Sequence, residues 1–254
     1  MFGSGPMLNP DAKQFLCRLE AHPQIELLGA FCQAEGQSWR AVWKDLWRRR
    51  GILAFPLFGA AVASSIGQYL THPRAEVEQC NKLARIADRI HFVTDIHAPE
   101  VLQQISALAP DLGLIYGSPI LKPSLFDIPT NGSLGIHHGK VPEYRGNKTT
   151  FWAMYNGEDV AGVTIQKINA GLDTGQIVKE GEVTIGRRSQ RAVVNELEAL
   201  GLDLYLQAIM EIKEGTATFR PQPEGSKRKA YRNPKLNDLL HFLVKQTRKQ
   251  FGRE

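Results

Sequence analysis

At 254 residues, with 43% hydrophobic and 22% charged residues, the chain has the composition of an ordinary globular protein, long enough for one sizeable domain with or without an appendage. Cys17, Cys32 and Cys80 form no C-x-x-C pair, which argues against a disulfide framework or structural zinc and makes a reducing, cytoplasmic compartment the default; no secretory signal is expected at the start. The formal charge of +5 is concentrated: residues 215–254 hold ten Lys/Arg against three Asp/Glu, so the basic tail fits nucleic acid, a membrane surface, an acidic partner or simply a solvated helix face.

The opening MFGSGP is a glycine turn with almost no strand ahead of it, so either the first strand is very short or the start site is placed too late. Phe15, Leu16 and Leu19 mark a helix over Asp11–Glu20, and QIELLGAFC (24–32) reads as a buried strand. Trp39, Trp43 and Trp47 recur every four residues among arginines and lysines. The stripe suits either a buried helix or a membrane-surface or partner-binding hairpin. The apolar run at 52–66 is too short to span a bilayer and contains Pro56 and Gly59.

Residues 76–88 read as a helix, HFVTD (91–95) as a strand and Ala98–Leu108 as a second helix. Strands follow at LGLIYG (112–117), LGIHH (134–138) and VTIQKI (163–168). QIVKEGEVTI (176–185) reads as two short strands around Glu180-Gly181, before a long helix over about 189–213. Alternating strands and helices predict an α/β fold: a mostly parallel, Rossmann-like sheet with helices on both faces, plus a C-terminal helical tail. The expected division is residues 1–214 as the catalytic domain and 215–254 as a basic extension. In that extension 219–235 is proline-rich and extended, and Leu239, Leu240, Leu243, Thr247 and Phe251 stripe a basic amphipathic helix.

Ligands of open parallel sheets bind beyond the carboxyl ends of the strands. Two such ends carry reactive groups: GIHHGKVPEYRGN (135–147) and NAGLDTGQ (169–176). Histidine beside a carboxylate is an acid/base pair; adjacent strand-end histidines are equally well plain hydrogen-bonded residues. Alternation sends His137 and His138 to opposite faces, so they do not readily share one metal ion, and no metal is expected. G-x-S-x-G, Walker and G-x-G-x-x-G patterns are absent, which argues against serine-nucleophile, P-loop and dinucleotide chemistry.

At these residues the sequence resembles the folate-dependent formyltransferases, which act on methionyl-tRNA, glycinamide ribonucleotide or sugar amines. The resemblance is carried by Gly135-Ile136-His137-His138-Gly139-Lys140-Val141-Pro142-Glu143-Tyr144-Arg145-Gly146, then Thr150-Phe151-Trp152-Ala153, Gly162-Val163-Thr164 and Leu172-Asp173-Thr174-Gly175. It runs from about Leu112 to Ile185. It implies 10-formyltetrahydrofolate as donor, His137 as the proton-handling residue and Asp173 orienting it. It implies pterin contacts at Tyr116, Gly117, Ser118, Ile120, Leu121 and Gly171. Acceptor contacts fall to Arg145, Asn147 and His138; Arg145 serves equally well as a salt bridge fixing its loop.

The family carries asparagine where this chain has Gly135, so the third catalytic position has lost its amide. Loss of an oxyanion donor costs about 10²–10³ in rate. Three accounts stay open: a substitute donor among His138, Lys140 and Asn147; a slow or specialised enzyme; or an impaired homologue that binds folate or another ligand. A formyltetrahydrofolate hydrolase would use the same pair. With only about forty residues after the long helix, the expected acceptor is a small-molecule amine and not a nucleic acid. The basic terminal helix or the Trp39/Trp43/Trp47 segment is left for weak membrane or protein contact.

Overall fold

The computed structural model describes residues 1–4, 10–33, 83–223 and 230–251. They fall into two compact units, Met1–Val101 with Gly117–Pro119, and Leu102–Tyr116 with Ile120–Glu254. The tryptophan stripe, the apolar run at 52–66, Cys80 and most of the helix expected over 76–88 lie outside the described residues.

In the first unit, β1 (Phe2–Ser4), β2 (Ala30–Gln33) and β3 (Ile90–Val93) pair in parallel, with Phe2 opposite Phe31 and Phe31 opposite His91. The very short first strand is therefore present. The strand expected over 24–32 forms only at its end. Helix α1 (Pro10–Ala21) completely buries Phe15, Leu16 and Leu19, the residues whose spacing predicted it. Helix α2 (Pro99–Ala107), whose residues from Leu102 on belong to the second unit, opens on a proline, which a first helical turn tolerates because its N–H would be unpaired anyway.

The second unit carries β4 (Gly113–Ile115), α3 (Pro123–Phe126), β5 (Ser133–His137), α4 (Thr149–Asn156), β6 (Val160–Lys167), β7 (Ile177–Thr184), α5 (Gln190–Glu214) and α6 (Leu236–Phe251). β4 and β5 are parallel; β5–β6 and β6–β7 are antiparallel. Three of the five described pairings are thus parallel, and the fold is a mostly parallel α/β one. Among the described residues no helix is long and apolar enough to cross a membrane.

Two expectations are corrected. Residues 177–184 form one strand, not two. Gly181 makes no turn there: a Cβ on it would lie 2.9 Å from both Leu200 Cδ2 and Leu204 Cδ1, so the glycine lets α5 lie close upon β7. The stripe on α6 is also different. Phe242 is buried, tilted against the Phe151 ring with centroids 4.8 Å apart, and Leu239 is half-buried beside it. Leu240 and Leu243 face outward, at 53% and 60% exposure. The aromatic surface of α4 selects phenylalanine as the anchor, because stacked and tilted rings add attraction beyond the area they bury.

Tyr205 fixes the strand ends that lead to the candidate site. It lies wholly buried on α5, donates its hydroxyl to Leu134 O at 2.7 Å and accepts from Ile115 N at 2.9 Å. One side chain therefore registers α5 against β4 and β5. Tyr205→Phe leaves a buried N–H and a buried carbonyl without this partner. Urea unfolding is expected to register a loss of about 1–3 kcal/mol.

Candidate active site

His137 closes β5 and is buried, 9% exposed. Its Nε2 stands 2.6 Å from the Tyr144 carbonyl. A carbonyl only accepts, so Nε2 carries the proton and donates it. The other nitrogen, Nδ1, then holds the lone pair and faces Asp173 Oδ1 at 3.4 Å. Burial is the largest influence on the ring and pulls its pKa below 6.5. Asp173 and the Tyr144 carbonyl pull it up, and His138 pushes it down again.

The loop that follows β5 can fold over the ring only because residue 139 is glycine. A Cβ on Gly139 would stand 2.2 Å from Tyr144 O and 2.6 Å from His137 Nε2. Tyr144 N donates to Lys140 O at 2.7 Å and holds the turn that presents the carbonyl.

Asp173 sits in the connection between β6 and β7, with φ at +51°. A side chain in that left-handed region is strained, and surrounding contacts must hold it there. Gly146 N donates to Oδ2 at 2.8 Å, and Gln166 Nε2 donates to Oδ1 at 3.2 Å. Gly175 lets the loop close, since a Cβ on it would fall 1.5 Å from Lys167 O. Leu172, next to Asp173, is 52% exposed.

Gly135 precedes His137 by two residues, so strand alternation puts both on one face. A Cβ on Gly135 would stand 2.6 Å from Ile168 Cδ1. His138 turns to α5 instead, with Nε2 2.7 Å from Glu198 Oε2. Burial alone would raise the Glu198 pKa, but the close contact and charge of His138 and the hydrogen bond from the Tyr116 hydroxyl outweigh it and hold the carboxyl below its usual range. Lys140 is occupied by Glu182 at 2.5 Å.

Tyr116 and Leu121 are buried, Gly117 has φ at +58°, Ser118 Oγ donates to Pro119 O at 2.9 Å, and Ile120 is 81% exposed. Gly171 N donates to Asn169 Oδ1 at 3.0 Å. Arg145 is half-buried and Asn147 exposed. Their backbones bracket Tyr231: Tyr231 N donates to Arg145 O at 2.7 Å and Asn147 N donates to Tyr231 O at 2.8 Å.

The sequence reading missed Gln166, Gln222 and Glu198. Gln166 had a signal. It is a polar residue inside a strand, and it shares the face of Thr164, which pairs with His137. Gln222 had none, because it lies far along the chain from the loop it touches.

The family model described as formyl transferase matches residues 71–209, more than half of the chain. The chain belongs to the formyl transferase family. A methionyl-tRNA formyltransferase from Geobacter metallireducens is 34% identical over 131 residues, covering 51% of this chain and 42% of that protein. One from Chloroflexus aggregans is 35% identical over 127 residues, covering 49% and 41%. The chain thus spans less than half the length of these curated relatives.

Among solved structures, a sugar N-formyltransferase from a Shewanella species aligns over 95% of this chain and 85% of its own, with a TM-score of 0.58 and 14% identity. A phosphoribosylglycinamide formyltransferase from Bacillus halodurans aligns over 83% and 92%, with a TM-score of 0.56 and 16% identity. At such identities the likeness is one of fold. The formyl transferase match ends at residue 209, so Gln222, Tyr231 and α6 lie beyond it.

The depressed pKa of His137 has a sign that solution measurement can check. Below pH 6.5 the unfolded chain takes up a proton that the buried ring resists, so the contribution to stability is present above 6.5 and is lost as pH falls through the folded value. NMR titration of the His137 ring is expected to give a midpoint below 6.5. In Asp173→Asn, which removes the attracting charge, the midpoint is expected lower still. An identical midpoint in the variant would count against the contact.

Proposed function

We propose that the chain transfers a formyl group from 10-formyltetrahydrofolate to an amine, with His137 and Asp173 as its proton-handling pair. The observation that carries this reading is the fixed tautomer of His137: Nε2 is committed to the Tyr144 carbonyl, and Nδ1 is left basic beside a carboxylate. In the reaction the amine nitrogen bonds to the formyl carbon, and the attacked carbonyl becomes a tetrahedral oxyanion. The proton lost by nitrogen is taken up between Nδ1 and Oδ1, which act together as one acceptor. Collapse breaks the bond from carbon to the folate nitrogen, which accepts a proton as it leaves.

The exposed Ile120 and Leu172 supply apolar surface for the pterin. We assign Tyr116, Leu121 and Gly171 to the pterin as well, and Gly117 and Ser118 follow from the resemblance alone. Arg145, on the loop that folds over His137, supplies a guanidinium for an anionic group of the acceptor. A small-molecule amine fits this assignment, and the catalytic part is placed in residues 1–214, with 215–254 as its extension.

A second reading, a slow or impaired enzyme that chiefly binds its ligand, is favoured by one observation. Next to His137, where an amide donor would steady the oxyanion, Gly135 faces the Ile168 methyl.

Both readings are tested by incubating the protein with 10-formyltetrahydrofolate and a panel of amines. The panel includes an amino sugar, a glycine amide and an aminoacyl ester, and a no-amine control reports hydrolysis as formate. Transfer is expected to fall about 10²–10⁴-fold in His137→Ala. Folate release that does not depend on His137 would sink the mechanism.

Gly135→Asn places its Cβ against Ile168 Cδ1, whereas Ile168→Val deletes that atom. If a missing donor limits the rate, the pair Gly135→Asn with Ile168→Val is expected to raise turnover by about 10²-fold. The single Gly135→Asn is expected to gain less. No gain in the pair would point to a substitute donor.

A further inference from the structure

We infer that Gln222, in the proline-rich segment beyond the family match, is a positioning residue for Asp173. The inference rests on the proposed role of the His137–Asp173 pair. The segment is brought to the site by β-type pairing: Ile177 N donates to Arg220 O at 2.8 Å, and Arg220 N donates to Ile177 O at 2.9 Å. Two residues on, the Gln222 amide reaches the connection between β6 and β7. Its Nε2 stands 2.9 Å from Asp173 O, 2.8 Å from Gly175 O and 3.3 Å from Gln166 Oε1.

The two hydrogens of that amide are therefore shared by three acceptors, all belonging to the acid's own surroundings. The contact with Gln166 has a further effect. By holding Oε1 it orients the Gln166 amide so that Nε2 points at Asp173 Oδ1. The order of contacts is Gln222 to Gln166, Gln166 to Asp173, and Asp173 to His137.

The same extension grips the opposite side of the acid. Tyr231 lies between the Arg145 carbonyl and the Asn147 N–H, and a Cβ on Gly146 would stand 2.3 Å from Tyr231 O. Gly146 is the residue whose N–H holds Asp173 Oδ2. Both oxygens of the acid are thus oriented by donors that the extension holds in place. This accounts for a non-glycine residue kept at φ +51°.

The test uses the full chain. Gln222→Met keeps length and removes both donors without adding charge. Two quantities are read: the His137 ring titration by NMR, and kcat and donor KM for formyl transfer. The charged and titratable groups acting on His137 are Asp173 and His138. When Asp173 loses its place, the attraction that raises the His137 midpoint weakens, so the midpoint is expected to fall below that of the wild type.

Turnover is expected to drop about 10-fold, more than donor KM rises: the acid orients a proton acceptor, while the connection that Gln222 holds also carries Leu172 beside the proposed pterin surface. A midpoint equal to the wild type's in Gln222→Met overturns the inference, whatever happens to thermal stability. If that variant fails to fold, Gln222→Asn, one methylene short of its acceptors, is read in the same way. Should the wild type show no formyl transfer at all, the proposed function fails, and the titration alone still decides the role of Gln222.

Discussion

The hydrogen bond from His137 Nε2 to the Tyr144 carbonyl is the contact on which the rest of the site depends. It settles which ring nitrogen is protonated, and thereby which one is basic. At 2.6 Å it leaves no room for a side chain on Gly139, so the loop must carry glycine where it folds over the ring. It also sets the position of Gly146, two residues further on, whose N–H binds Asp173. The carboxylate reaches Nδ1 because the same loop that seals one nitrogen orients the partner of the other. A ring held this way loses hydration on every side. Burial therefore dominates its titration and favours the neutral ring.

The two adjacent histidines show how a strand separates identical side chains. His137 turns to the acid on the β6–β7 connection, and His138 turns to Glu198 on α5. Each imidazole has a carboxylate, but the surroundings differ. Glu198 is also bonded by Tyr116, so its oxygens are committed on the α5 side, away from the face that His137 shares with Gly135. His138 still acts on its neighbour through charge, in the direction that keeps His137 neutral. Placement at the strand end supplies the pair, and alternation decides which member of it meets Asp173.

Much of this was legible in the sequence, and the exceptions share a physical cause. Local patterns announced α1 through Phe15, Leu16 and Leu19, and located both loops of the site through glycines beside polar residues. Gly181 misled because glycine also serves close packing: the pattern shows that a side chain is missing but not what occupies the space. On α6 the helical period was right and the face was wrong. The anchor was chosen by the rings of α4, which lie about ninety residues earlier in the chain. Gln222 was invisible for the same reason. Its acceptors are backbone carbonyls of a loop closed by Gly175, and backbone carbonyls leave no mark in a sequence.

Gly135 belongs with Gly181 and not with the turn glycines. It lies in a regular strand without a left-handed backbone, so nothing in its conformation asks for glycine. The neighbour a side chain would meet is Ile168, one residue beyond β6: its backbone N–H is fixed on Ser133 O at 2.8 Å, and its terminal methyl would stand 2.6 Å from a Cβ at 135. What can stand at 135 is thus a matter of two positions. A side chain at 135 would require the terminal methyl of Ile168 to move, which a rotamer change can supply. The combination the chain carries, glycine at 135 and isoleucine at 168, makes this wall apolar beside His137.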